Sequence, residues 1–417
     1  MREHHPVRRR VVAALWTLAA IAVVVRVSVM FGTAVGLTEP AQGFTGSFLD
    51  FRDTVVTPGR YLLGGGNPYD PDAYLAANPW ALPFSLYCPA WLVLGVLLAP
   101  LPFPVAVVLF QAVSVAVAVV FLRVVCRWAL PTLADVAVPA GLLWLNIWYP
   151  GRGVISVQLA SLLGALGVAL VLRAIARRGE TPDRGAAAGV ALGLLKPQFG
   201  VTAVVAAAAG CWRDVWRGVA GLAVVSLPVV VALSVAAGGP LRFLRSVARD
   251  LAVSNSAAAP SGLSSPIQRR FDLVGQFARW GIDPPGWLQA GVLVLALACI
   301  VAVVRLTRHP LALSAVVCGA TLVGVYHAPY DLILMLIPVA VGVGMAVRGQ
   351  LTSVAEWVTL GASVLVVFHL HTVSIFLLPL LDVRFADTID ITLVLIALGC
   401  GLYTAMRSRR TVLVTTS

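Results

Sequence analysis

Long apolar runs separated by short arginine-rich strings dominate the chain, and the first run, Val11 to Phe31, sets the scale. About 20 apolar residues cross a bilayer core of roughly 30 Å at 1.5 Å of rise per residue. This run is too long for the apolar part of a signal peptide, and Arg8-Arg9-Arg10 before it places the N-terminus in the cytoplasm. Further runs cover Leu86–Leu101, Val105–Val125, Val136–Trp148, Val157–Ala174, Ala186–Ala209, Gly218–Ala237, Leu288–Val304, Leu311–Val325, Leu332–Val347, Val354–Leu370 and Ile391–Tyr403. Several are short for a straight span and suit tilted, broken or re-entrant helices.

The polar strings between the runs give orientation. Arg173–Arg184, Arg213–Arg217, Arg305–Arg308, Arg348 and Arg407–Arg410 read as cytoplasmic anchors, which leaves 32–87, 151–153, 238–286, 327–331 and 372–390 outside. One run conflicts with this scheme. Ala186–Ala209 has basic strings on both sides, so it is expected to be a hairpin bent at Lys196-Pro197, where proline breaks the helix. Such breaks occur in membranes where the backbone lines a polar cavity. The stretch Leu86–Val125 poses the same conflict without a resolution. The expected architecture is all-α: one integral membrane domain over residues 1–417, with about 10 to 12 transmembrane helices, a long extracytoplasmic first loop and both termini cytoplasmic.

Composition agrees with this pattern. Hydrophobic residues make up 59% and charged residues 12%, against roughly a quarter charged in soluble proteins, which excludes an ordinary soluble chain. The net charge of +12 comes from arginines between apolar runs, so it points to membrane lipids as partners and not to nucleic acid. The six cysteines lack paired or metal-ligand spacing, so neither a disulfide framework nor a metal site is expected. Lys196 is the single lysine among 30 basic residues, and it interrupts an apolar run.

The two long outer segments carry the candidate chemistry. Segment 32–87 holds Asp50, Asp53, Asp70 and Asp72 with the turn Gly64-Gly65-Gly66-Asn67-Pro68-Tyr69-Asp70. A partly desolvated carboxylate at the membrane face can take a proton from a hydroxyl, although solvated loop carboxylates would read the same way. Segment 238–286 carries Arg242, Arg245, Arg249, Arg269, Arg270 and Arg279, against the positive-inside bias, and calls for an anionic partner. Late in the chain, Tyr326-His327-Ala328-Pro329-Tyr330-Asp331 joins two apolar runs on the outer side, where polar residues either line a site or cap helices. His369 and His371 flank Leu370, a spacing too weak to imply a metal.

Several strings together resemble glycosyltransferase family 87 of the membrane GT-C class, the actinobacterial mannosyltransferases and arabinofuranosyltransferases that use polyprenyl-phosphate sugars. Asp50-Phe51 matches the family's acidic residue after the first span, and Gly66-Asn67-Pro68-Tyr69-Asp70 matches its Gly-x-x-Pro-Tyr turn. Tyr87-Cys88-Pro89 stands where the family has Tyr-Pro-Pro, and Leu194-Leu195-Lys196-Pro197-Gln198 matches its Lys-Pro element. Val55-Val56 replaces a family tyrosine, and Gly151-Arg152-Gly153 replaces its Gly-Gln-x-Asn turn, with Gln158 further on.

The resemblance implies an extracytoplasmic transferase in the cell membrane, moving mannose or arabinofuranose from a polyprenyl-phosphate donor to a cell-envelope glycolipid or glycan. It implies an inverting reaction without a cofactor. Asp50 is the implied general base. Lys196, Arg152, Arg269 and Arg270 would hold the donor phosphate. Asp53, Tyr69, Tyr87, His327 and Asp331 would line the site. The alternative from the residues alone is a secondary transporter or lipid flippase, which also uses broken helices and intramembrane charge. A transporter commonly repeats such elements, and no second copy of the Asp50 or Lys196 strings occurs.

Overall fold

A computed structural model describes residues 5–35, 49–84, 87–156, 158–178, 185–254, 270–368 and 383–415, and among these there are helices and no strands. Helix α1 (His5–Val35) is followed by a layer of short pieces: α2 (Leu49–Phe51), a π-helical turn (Arg52–Val56), α3 (Thr57–Leu63), α4 (Pro71–Ala77) and α5 (Trp91–Leu98). Then come α6 (Phe103–Ala129), α7 (Ala134–Ile147), α8 (Tyr149–Ser156) and α9 (Leu159–Ala176). The middle of the chain forms α10 (Gly185–Leu194), α11 (Pro197–Gly210), α12 (Trp212–Ala236), α13 (Pro240–Ser254) and α14 (Leu273–Arg279). The last part comprises α15 (Trp287–Leu306), α16 (Pro310–Gly324), a 3-10 segment (Pro329–Met335), α17 (Leu336–Val347), α18 (Val354–Phe368) and α19 (Val383–Thr415).

Seven described helical segments are long and apolar enough to cross a membrane, and five further helices are apolar but shorter. The chain is a polytopic membrane protein. Helix α9 lies at its centre, with 78% of its most apolar stretch buried, whereas α1 has 6% buried and turns its side chains to lipid. Arg26, in the middle of α1, is the exception to that apolar face. Its guanidinium reaches Asn146 Oδ1 at 3.2 Å, the Asn146 carbonyl at 2.9 Å and Ser156 Oγ at 3.2 Å, which pins α1 to α7 and α8. A charge at that depth persists only with such partners.

Glycines let the central backbones touch. A Cβ on Gly167 of α9 would stand 2.5 Å from the Gly189 carbonyl of α10, as in other small-residue membrane contacts. Contacts along α9 also fix the path of the next two helices. Gly164 faces Phe199 at the start of α11, and Gly210 at its end faces Ile175, so α11 runs beside α9 in the same direction. Gly189 of α10 faces Leu170 and Val171 while Gly193 approaches Gly167, so α10 runs the opposite way. Residues 185–210 therefore fold into a hairpin whose bend is Leu195–Lys196, with Pro197 opening α11.

The conflict over Leu86–Val125 has a different answer. Among the described residues of the expected run Leu86–Leu101 only α5 is helical, and eight residues rise about 12 Å, too little to cross. α5 packs on α3, where a Cβ on Gly59 would overlap the backbone of Gly95. Its inner face, Trp91, Leu92, Gly95 and Leu98, is buried in protein, which accounts for much of its apolar character. Among the described residues of this stretch only α6 is long and apolar enough to cross, and a single crossing removes the parity problem.

Candidate active site

The hairpin bend carries Lys196 into the protein interior, where an unpaired ammonium would be costly. Its Nζ donates to Ser161 Oγ on the first turn of α9 at 2.7 Å, and to Asp331 Oδ1 at 2.7 Å and Oδ2 at 3.0 Å. Asp331 lies in the 3-10 segment and gathers further donors. Its Oδ2 stands 2.8 Å from His327 Nδ1 and accepts the Ala328 amide at 3.3 Å. An ionised carboxylate can only accept, so Nδ1 is the donor in this contact whether or not Nε2 also carries a proton. The other ring nitrogen, Nε2, is buried and has no hydrogen-bond partner among the described residues. The Phe271 amide donates to the His327 carbonyl at 2.6 Å, and Phe199 presents its ring to the imidazole at 5.3 Å between centroids. The Lys196 ammonium also lies over the Tyr330 ring at 5.0 Å and the Phe199 ring at 5.2 Å, so aromatic faces complete its shell.

Asp50 approaches this cluster from the first loop, on α2. Burial raises its carboxyl above the usual 3.8, Gln158 and the Lys196 charge oppose that rise, and the Asp331 charge adds to it. Gln158, the residue before α9, thus faces both Asp50 and Tyr87. Burial also pushes up the Tyr87 phenol, with the Asp50 charge next in size. The Tyr326 phenol is likewise raised by burial, and it too feels Asp50.

The neighbouring carboxylates are engaged. Arg52 binds Asp53 through Nε at 2.6 Å and Nη2 at 3.0 Å, bonds the Trp80 carbonyl at 3.1 Å and lies 4.7 Å over the Trp80 ring. Burial nevertheless raises the Asp53 carboxyl. Arg270 pairs with Asp272, bonds Gln289 Oε1 at 2.9 Å and lies 5.4 Å over the Tyr326 ring. Asp50, by contrast, has no basic side chain in ion-pair contact among the described residues.

Five of the residues singled out in the sequence, Asp50, Tyr87, Lys196, His327 and Asp331, thus come from four separate parts of the chain to one place. Arg270 stands at its edge beside Tyr326. Asp53 and Tyr69 lie in the supporting layer, and the Tyr69 hydroxyl donates to the Tyr87 carbonyl at 2.7 Å. Arg269, His369 and His371 fall outside the described residues, as does the side chain of Arg152 on α8. Among the described residues no group of three His, Cys, Asp or Glu side chains is arranged to hold a metal ion.

The sequence alone does not mark Ser161, Phe199, Tyr326 or Tyr330 individually, nor Gln158, as a site residue. The tyrosines lie in the same Tyr326–Asp331 string as His327, so the string as a whole was the usable signal. Ser161 sits in an apolar run and gives none.

The family model for glycosyltransferase family 87 matches residues 85–329, more than half of the 417-residue chain. Tyr87, Gln158, Lys196 and His327 fall inside the match, Asp331 lies two positions beyond it, and Asp50 precedes it. No curated protein and no solved structure matches the chain. The match favours a transferase over a transporter, and it agrees with the polar cluster that the hairpin, the first loop and the 3-10 segment build around Lys196. The chain belongs to glycosyltransferase family 87 and is a membrane-embedded glycosyltransferase.

Proposed function

We propose that the protein transfers mannose or arabinofuranose from a polyprenyl-phosphate donor to a glycolipid or glycan acceptor of the cell envelope, on the extracytoplasmic face, with inversion. The observation that carries this reading is the placement of Asp50, a carboxylate with no basic ion-pair partner among the described residues, within electrostatic reach of the Lys196–Asp331–His327 cluster. In the proposed step the acceptor oxygen attacks the anomeric carbon while the bond from that carbon to the phosphate oxygen breaks. The acceptor proton passes to Asp50, and the polyprenyl phosphate departs with the bonding electron pair. One carboxylate suffices, as inversion requires no covalent sugar intermediate.

At the phosphate end, Lys196 and Arg270 act with Arg152 and Arg269. Lys196 and Arg270 already have carboxylate counter-ions, so the departing phosphate shares these cations and does not have to neutralise them. His327 supplies the group with a vacant valence. With Nδ1–H held by Asp331, a protonated ring offers Nε2–H to the leaving oxygen. Asp53 and Tyr69 support the Asp50 loop, and Tyr87 lines the sugar side.

The test is product formation by purified protein, without cofactor, given matched polyprenyl-phosphate and nucleotide sugars with a glycolipid acceptor. Inverted product from a lipid-phosphate donor is the expected result. Turnover of nucleotide sugars alone, or retained anomeric configuration, overturns the reading.

A further inference from the structure

The basic outer segment contains a helix whose surface is divided into three sectors. Successive side chains of α13 are turned by about 100°. One face docks on the first loop. Phe243 and Asp250 are buried there, Phe243 sets its ring against Tyr69 at 5.7 Å, and Asn67 Nδ2 donates to Ser246 Oγ at 2.8 Å. The next sector is apolar and open, with Leu241 69%, Leu244 60% and Leu251 47% exposed. The third is Arg242, Arg245 and Arg249, all exposed. Arg249 pairs with Asp72 at 2.5 Å, while Arg242 and Arg245 have no partner among the described residues.

The chain enters this helix through a turn at the end of a spanning segment. Gly238 and Gly239 have φ of +72° and +134°, conformations open to glycine, and Pro240 then starts α13. Before the turn, α12 exposes Leu227, Val231 and Val235, the pattern of a lipid-facing span. α13 therefore begins where the apolar surface of α12 ends. A helix with leucines on one open face and unpaired arginines beside them has the pattern of helices that lie in a membrane interface.

We infer that α13 lies in the headgroup layer on the side of the candidate site, with its leucine sector at the acyl boundary and Arg242 and Arg245 bound to phosphates of anionic phospholipids. These arginines face phosphate and not the cytoplasmic anchors of the positive-inside pattern, which accounts for a basic segment on the side of the first loop. Each arginine near an anionic surface contributes roughly a fivefold attraction. The inference rests on the packing of α13 and stands whether or not the proposed reaction is correct.

The test uses the full chain in nanodiscs of phosphatidylcholine with and without phosphatidylglycerol. Nitroxides are placed singly at Leu244→Cys, Leu251→Cys and Arg245→Cys after the six native cysteines are replaced by alanine. Collision with oxygen, which concentrates in lipid, should dominate at 244 and 251, and collision with a water-soluble nickel chelate at 245. Access of the chelate to 244 and 251 would show a solvated helix, and access of neither reagent would show a protein partner; both overturn the inference.

A fluorophore at Leu244→Cys in the same background reads the lipid class. Doxyl-phosphatidylglycerol should quench it in preference to doxyl-phosphatidylcholine, and R242Q/R245Q should reduce that preference at least fivefold. Equal quenching by the two lipids, or an unchanged preference in the double variant, removes the phosphate contact from the proposal. Inorganic phosphate added at matched concentration should leave the preference unaltered, and competition by it would assign the arginines to a soluble anion instead.

Discussion

Lys196 Nζ lies 2.7 Å from Asp331 Oδ1, an ion pair that spans 135 positions of sequence and ties the hairpin bend to the 3-10 segment. Both groups are buried, so neither can fall back on water when the other is removed. Lys196→Met should lower stability by about 3–5 kcal/mol, the usual consequence of stranding a buried charge. Lys196→Met with Asp331→Asn removes both charges and should recover most of that loss. Thermal unfolding in detergent compares the two, and equal stability of the single and double variants would mean that Asp331 does not need its counter-ion.

Asp50→Asn should reduce transfer by roughly two or more orders of magnitude, the scale of losing a general base. Its stability at neutral pH should be kept or raised, because burial disfavours the charged carboxylate and an amide carries no charge to desolvate. The base works when deprotonated, and burial lifts its pKa above 3.8, so activity should fall as pH drops through that elevated value. The acid limb of the rate profile should lie above pH 3.8 in the wild type. Near-normal turnover by Asp50→Asn would move the base elsewhere.

Most of the membrane helices were legible because apolar length is what a bilayer demands of a helix, and the Lys196 bend was legible because a proline stood between two basic strings. α5 was not. An apolar stretch buried in protein and one exposed to lipid have the same composition, and the distinction lies in Gly59 and Gly95, whose close contact a sequence does not announce. The counter-ion of Lys196 was hidden for another reason. Asp331 stands in the polar Tyr326–Asp331 string, but a pairing across 135 positions leaves no local pattern. The three-sector division of α13 was present in the spacing of its leucines and arginines, yet only the docked face at Phe243, Ser246 and Asp250 separates it from a solvated basic loop.

Close helix packing makes a graded prediction. In Gly167→Ala the new Cβ would stand 2.5 Å from the Gly189 carbonyl and 2.7 Å from the Gly193 amide, both backbone groups that cannot swing aside. The cost should be about 1–3 kcal/mol as the hairpin is pushed off α9. Gly221→Ala and Gly361→Ala meet nothing within 4 Å and should be neutral or gain up to about 1 kcal/mol from helix propensity. Melting temperatures of the three variants give the order, and a harmless Gly167→Ala would contradict the close contact.

The hairpin also fixes sidedness. Gly210 packs on Ile175, and Arg308 Nη1 bonds the Arg178 carbonyl at 3.0 Å, so positions 178, 213 and 308 should lie at one end of the bundle. Single cysteines at these positions should react with a membrane-impermeant reagent from the same face, and a cysteine at exposed Leu63 from the opposite one. Reaction of 178 and 213 from different faces would require residues 185–210 to cross once.

His327 offers a way to separate holding Asp331 from serving the phosphate. Asn places an amide N–H near the position of Nδ1 and so keeps the bond to Asp331, but it has nothing at the position of Nε2. Gln does the reverse. If the ring only holds Asp331, His327→Asn should fold and turn over nearly normally. If Nε2 donates to the leaving oxygen, His327→Asn should retain the wild-type melting temperature and yet lose about 100-fold or more in kcat, the lower end of the range for an acid–base group. The loss should shrink with donors that carry a better leaving group, because such a group needs less help as charge develops. Near-normal kcat in His327→Asn, with unchanged sensitivity to the leaving group, would confine His327 to positioning Asp331.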